Sequence, residues 1–263
     1  MTLEVRDLVI RLGGRTVVDG VSLTVERGGR LGLIGESGSG KSLTTLAVLG
    51  LLPAGAQVSG SIRWAGRELV GLRDRELARV RGKEIGIVFQ DPTTALDPIR
   101  TIGHQIGEPL RIHYGLTRRE TRERVGRMVE RVALPEPDRI VGRYPHQLSG
   151  GQRQRVAIAI ALITGPRLII ADEPTTALDV TVQAAVLDLF DELVTGSGAS
   201  LVFVTHDIAL LARMSGTAVV LADGRVVESG PVGQLVNAPA HRVTRELVTA
   251  ARATSWRSPV GVR

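Results

Sequence analysis

The run Gly35-Glu36-Ser37-Gly38-Ser39-Gly40-Lys41-Ser42 has the residue types and spacing of a loop that grips phosphate. It follows the P-loop pattern Gly-x-x-x-x-Gly-Lys-Ser and lies between an apolar stretch, Arg30-Leu31-Gly32-Leu33-Ile34, and a stretch of helical character. Glycines let successive N–H groups curl around phosphate oxygens with no Cβ in the way. The start of the following helix adds partial positive charge. In such a loop Lys41 reaches the β- and γ-phosphates, and the Ser42 hydroxyl ligates Mg²⁺. Lysine occurs only at 41 and 83 in an arginine-rich chain, so an incidental surface charge explains Lys41 poorly.

A second set of residues fits the other half of such a site. Leu168-Ile169-Ile170-Ala171-Asp172-Glu173 reads as an apolar strand ending in a carboxylate that can hold Mg²⁺, directly or through water. Glu173 is then placed to polarise an attacking water as general base. In Leu148-Ser149-Gly150-Gly151-Gln152, a serine and two glycines open a helix, which makes a second phosphate-binding N-terminus. One nucleotide needs only one such cradle. A second implies composite sites, in which the P-loop of one subunit faces Ser149, Gly150, Gly151 and Gln152 of another. Taken alone, Ser149 reads as an ordinary N-cap. Gln90 follows an apolar strand and can sense the metal and the water through its amide. His206 ends another strand and can hydrogen-bond the γ-phosphate. Asp179 taken alone is a helix N-cap. His104, His113, His146 and His241 show no metal-ligand spacing and receive no role.

The elements that must position these residues are legible in outline. Residues 3–12, 16–26 and 60–66 read as strands, the first two joined by a Gly13-Gly14 turn. Ser42 to Leu52 reads as a helix stopped by Pro53, and Ile85 to Phe89 as a buried strand. From about 93 to 165 the pattern is helical, clearest over 118–132 and 153–163. Residues 168–171 and 200–204 look like strands buried on both faces, as parallel strands are. Between them, residues 181–194 set Val182, Val186, Leu189, Phe190 and Leu193 on one helical face. Strands over 217–222 and 225–229 turn at Asp223-Gly224. This is an α/β chain: a parallel-sheet core of the P-loop NTPase, RecA-like kind, an N-terminal antiparallel β subdomain and an inserted helical subdomain. The expected division is one domain over 1–250, with core and β layer over about 1–90 and 165–250, the helical part over about 93–165, and a loose tail over 251–263.

Composition narrows the function classes. With 263 residues, 43% hydrophobic and 23% charged, the chain can bury a full core. No apolar run approaches the ~18 residues of a spanning helix. The start, Met1-Thr2-Leu3-Glu4-Val5-Arg6, alternates like a strand and lacks a signal-peptide layout, so a cytoplasmic location is expected. The absence of cysteine excludes disulfides and Cys-ligated metal. The net charge of +6 invites a nucleic-acid reading, but basic residues are scattered and aromatics make up only 3%, poor material for base stacking.

Together these motifs resemble the ATP-binding-cassette (ABC) family over almost the whole chain. In that family's terms Gly35–Ser42 is Walker A, Gln90 the Q-loop and Leu148–Gln152 the signature. Leu168–Asp172 resembles Walker B with Glu173 as catalytic base, Asp179 lies in the D-loop, and His206 is the switch histidine. The resemblance implies an ATP hydrolase using Mg²⁺ held by Ser42, Gln90 and Asp172. It also implies a head-to-tail dimer that sandwiches two ATP molecules, closes on binding and opens after hydrolysis.

The segments Val88–Pro98, Tyr144-Pro145-His146-Gln147, Ala171–Thr181 and Asn237–Arg245 are similar to the peptide/nickel importer branch, the last of them closest to its nickel-import member. That branch implies a second ABC ATPase subunit, homologous or identical, two transmembrane permease subunits and an extracytoplasmic substrate-binding protein. Nucleic acid is not among the implied partners. The place would be the cytoplasmic face of the membrane, and the cargo peptides, nickel or metal chelates. An exporter, or a cassette working on nucleic acid or ribosomes, shares the core motifs. Where the family commonly stacks adenine on an aromatic ring, this chain has Leu12. Adenine would then rest on Leu12 and Val18, with weaker base discrimination.

Overall fold

The computed structural model describes residues 2–175 and 178–255. The chain forms two compact units: residues to Leu72 with those from Val202 onward, and Arg73–Leu201. In chain order the elements begin with β1 (Leu3–Leu12), β2 (Arg15–Val25), β3 (Arg30–Gly35), α1 (Lys41–Leu49), β4 (Gln57–Trp64) and β5 (Arg67–Glu68). Next come α2 (Asp74–Leu77), β6 (Ile85–Val88), α3 (Pro92–Ala95), α4 (Ile102–Tyr114), α5 (Arg118–Arg131) and α6 (Pro137–Ile140). A 3-10 turn over Pro145–Gln147 leads to α7 (Gly150–Leu162), β7 (Leu168–Asp172), α8 (Val180–Ser197) and β8 (Ser200–Thr205). The last elements are α9 (Ile208–Met214), β9 (Thr217–Ala222), β10 (Arg225–Pro231), α10 (Val232–Asn237) and α11 (Arg242–Ser255).

In the first unit, alternation along β1 sends Leu3, Val5, Leu8 and Ile10 inward, each nearly inaccessible. β1 pairs antiparallel with β2 and with β4, giving the order β2-β1-β4-β5. β4 begins at Gln57, earlier than the expected 60. Gly60 looks like a strand start in sequence but sits inside the strand at φ 96°, where a Cβ would stand 2.4 Å from the Asp7 carbonyl. It accommodates the register shift between Arg6 and Val9. The second sheet of this unit runs β10-β9-β3-β8, with β3 parallel to β9 and β10 antiparallel to β9. α1 ends at Leu49, short of the expected Leu52: Gly50 adopts φ 61° and its N–H bonds back to Ala47, so glycine rather than Pro53 stops the helix. At the far end, α11 continues through 251–255, inside the expected tail, and residues 256–263 lie outside the described residues.

In the second unit, β6 and β7 are parallel, with Ile85 opposite Leu168 and Val88 opposite Ala171. All of β7 is buried. Ile102, Ile106 and Leu110 recur along one face of α4 and are inaccessible, as are Val129 of α5 and Ile158 of α7. α8 buries Val186, Leu187, Phe190, Leu193 and Val194. Val182 and Leu189, expected on that face, are only half-buried.

Candidate active site

In the first unit, β3 delivers the chain into the loop Glu36–Gly40, and α1 leaves it. Two glycines are dictated by close approach. A Cβ on Gly35 would lie 2.2 Å from the Leu221 carbonyl oxygen, and one on Gly40 would lie 3.1 Å from both the Val17 carbonyl oxygen and Val18 Cγ2. Gly40 also needs φ 96°, and no side chain caps α1 there. A helix start with no side-chain cap is what a phosphate cradle requires. Lys41, although 95% buried, donates from Nζ to the carbonyls of Gly35 and Glu36 at 2.8 Å each. Its ammonium is folded over the rim of the cradle. Ser42 is exposed, whereas Ser39 is buried and its hydroxyl has no partner among the described residues.

The turn between β9 and β10 supports the same place. A Cβ on Gly224 would meet the Val17 carbonyl oxygen at 2.6 Å, Asp19 N–H donates to the Gly224 carbonyl, and Arg225 pairs with Asp19. In sequence Asp223-Gly224 reads as a hairpin turn only; the second contact is tertiary and has no local signal. His206 follows β8 and is exposed. Directly after it Asp207 caps α9, accepting from Ala209 N–H at 2.7 Å, and so sets the direction of the chain. An aspartate before an apolar helical run is a cap signal readable in the sequence. Leu12 ends β1, opposite Arg15, and is half-buried.

In the second unit, the parallel register brings Gln90 and Glu173 together. Each lies two residues beyond a matched pair, Val88 and Ala171, and Gln90 Nε2 donates to Glu173 Oε2 at 3.3 Å. Asp172 closes β7 and is buried, so its carboxylate ends an otherwise apolar strand. Glu173 has φ 46°, a left-handed conformation that costs a non-glycine residue on the order of 1–3 kcal/mol and recurs at active sites. Beyond Gln90, Asp91 caps α3 and accepts from the Thr93 hydroxyl and N–H at 2.7 and 2.8 Å. These bonds, with a smaller contribution from the Arg153 charge, hold the Asp91 carboxyl below its ordinary range.

Ser149 is the N-cap of α7 in a reciprocal box: its hydroxyl accepts from Gln152 N–H at 3.3 Å, and Gln152 Oε1 accepts from Ser149 N–H at 3.0 Å. Gly150 and Gly151 form the first turn. Asp179 caps α8, accepting from Val182 N–H at 3.0 Å. Tyr144 and His146 stack 5.9 Å apart just before the cap, and Arg153 donates to the Pro145 carbonyl. The structure thus assembles the loop at Lys41 within one unit. It brings Gln90 to Glu173, and Ser149 to Gln152, within the other.

One family profile, described as ABC transporter, matches residues 18–176, a stretch that contains the phosphate loop, the buried strand-end aspartate with its following glutamate, and the Ser-Gly-Gly helix start. The chain belongs to the ABC transporter family. A Brucella ovis protein named for peptide import, as an ATP-binding protein, is 46% identical over 257 residues, covering 94% of this chain and 76% of that protein. The peptidoglycan transport ATP-binding protein YejF of Agrobacterium fabrum is also 46% identical, over 94% of this chain and 46% of its own length. Among solved structures, a dimeric ATP-binding cassette in a post-hydrolysis state with ADP and Pi aligns with a TM-score of 0.76 and 31% identity. It covers 88% of this chain and 98% of that one. This ABC chain is therefore an ATPase of the P-loop class. No helix among its described residues is long and apolar enough to cross a membrane.

Proposed function

We propose that this ABC ATPase energises the import of peptides, as a peripheral subunit on the cytoplasmic face of a membrane complex with two permease subunits and an extracytoplasmic binding protein. The peptide reading is supported by the 46% identity to a protein named for peptide import. Neither relative described above is named for nickel, so peptides are taken as the cargo.

The observation that carries hydrolysis is the Gln90–Glu173 hydrogen bond at the ends of two parallel strands. A carboxylate held there by an amide can take a proton from water as it attacks the γ-phosphate. The remaining residues divide the work. The N–H groups from Gly35 to Ser42 cradle the β- and γ-phosphates, and Lys41 exchanges the Gly35 and Glu36 carbonyls for phosphate oxygens. His206 hydrogen-bonds the γ-phosphate, and Leu12 supports the adenine by apolar contact. Each unit offers oxygen donors of the kind Mg²⁺ prefers, Ser42 in the first and Asp172 and Gln90 in the second. When bound, Mg²⁺ neutralises charge on the β- and γ-phosphates. Ser149, Gly150, Gly151 and Gln152 serve the nucleotide of a second cassette, with Asp179 beside them.

Deletion of the gene tests the cargo. Uptake of a labelled tripeptide is expected to vanish and to return with the wild-type gene but not with Glu173→Gln. Normal peptide uptake together with lost nickel uptake would overturn the reading.

A further inference from the structure

Two loops read above as facing a partner, the one at Ser149 and the one at Asp179, each cap a helix, and those helices meet at their first turns. A Cβ added to Gly151 would stand 2.6 Å from Val182 Cγ1, closer than real Cβ atoms approach, while Gly150 has Leu178 Cδ2 at 3.5 Å. We propose that Val182 is the residue that positions the Ser149 helix, and that Gly151 is glycine because Val182 occupies the place of its side chain. The usual reason for glycine at such a helix start, backbone approach to phosphate, is then secondary at this position. The proposal rests on the reading of Ser149 as a ligand of a second subunit's nucleotide.

Three constraints make the contact directional. Val182 is β-branched and has one strongly favoured rotamer in a helix, so its Cγ1 cannot swing aside cheaply. Its own N–H is the donor that Asp179 accepts, which ties its backbone to the D-loop. On the other side, Ser149 and Gln152 bond reciprocally, so the start of α7 shifts as a block. A methyl on Gly151 would therefore push Ser149 away from its position rather than displace Val182. Through this contact, any movement of Asp179 is passed to Ser149 within the same chain. The two loops act on the partner's nucleotide as one rigid piece.

The test is an exchange of volume: Gly151→Ala, Val182→Ala and the double variant of the full chain. Turnover at saturating ATP, nucleotide affinity of the dilute chain and thermal midpoint are read for each. Gly151→Ala is expected to lower turnover about tenfold or more, and the double variant to recover at least about threefold of that loss, the scale of coupling between touching residues. Nucleotide affinity of the dilute chain, set by the loop at Lys41, should stay within about twofold throughout, a split that simple loss of folding would not produce. Should Gly151→Ala alone not fold, a folded and active double variant supports the proposal equally. A double variant as slow as Gly151→Ala overturns it, as does a cycle that couples in thermal midpoint but not in turnover. Wild-type turnover strictly proportional to protein concentration would instead overturn the shared-site reading, while the volume exchange still decides the packing.

Discussion

Glu173 combines an unfavourable backbone with a functional side chain. Its φ of 46° is one that glycine adopts freely, yet the position holds a glutamate whose carboxylate accepts from Gln90. The strain persists because buried Asp172 fixes the chain on one side. Glu173→Gln keeps the backbone requirement and the side-chain length and removes only the base. Phosphate release is expected to fall about 10²–10⁴-fold, the usual contribution of a general base, with ATP binding retained in a fluorescence titration. Unchanged turnover would remove Glu173 from the mechanism. The place of Glu173 after a strand-end aspartate was legible in the sequence, because that is a local pattern. Its bond to Gln90 was not, because that depends on the register of two strands whose segments lie 83 residues apart in the chain.

Elements show the same division between local and tertiary signals. The Gly13-Gly14 hairpin, the loop at Lys41 and β7 follow from short-range chemistry, and they fall where the sequence places them. The early stop of α1 at Gly50, the bulge at Gly60 and the meeting of α7 with α8 depend on contacts that no window of residues contains. α11 is instructive here, because its docking runs through His241, to which the sequence reading gave no role. Glu228, on β10, accepts from the N–H groups of Ala240 and His241 and from the Thr244 hydroxyl, and so anchors the start of α11. Burial raises the Glu228 pKa. The Thr244, Ala240 and His241 hydrogen bonds and the His241 charge outweigh it and hold the carboxyl below its ordinary value of 4.5. A carboxyl depressed by folding contributes stability that is fully present above that ordinary value and is lost as pH falls through the depressed one. Wild type should therefore lose thermal midpoint as pH drops from about 5 to about 3, and Glu228→Gln should lose less over that window. Parallel profiles of the two proteins would show that Glu228 does not anchor α11 through its charge.

At the scale of the whole molecule, each chain carries one loop at Lys41 and one Ser149-led helix start, and the proposed mechanism assigns them to different nucleotides. That assignment changes the rate law. If the active species is a pair of chains, the specific activity of the isolated protein must rise with its concentration until pairing saturates, and only then become constant. A self-contained site would give constant specific activity at every dilution. Phosphate release measured over a hundredfold dilution series separates the two, and the pair is the expected result. Glu173→Gln sharpens the measurement: with slow hydrolysis, ATP should hold the paired form long enough to sediment as a dimer. The proposed permease complex supplies the complementary control. Two cassettes tethered to one membrane complex meet at an effective concentration on the order of millimolar, far above that of a dilute solution. Specific activity in the reconstituted complex should therefore be independent of dilution, while that of the isolated chain is not. Constant specific activity in the isolated chain down to high dilution would show that Ser149 does not complete the site in another copy.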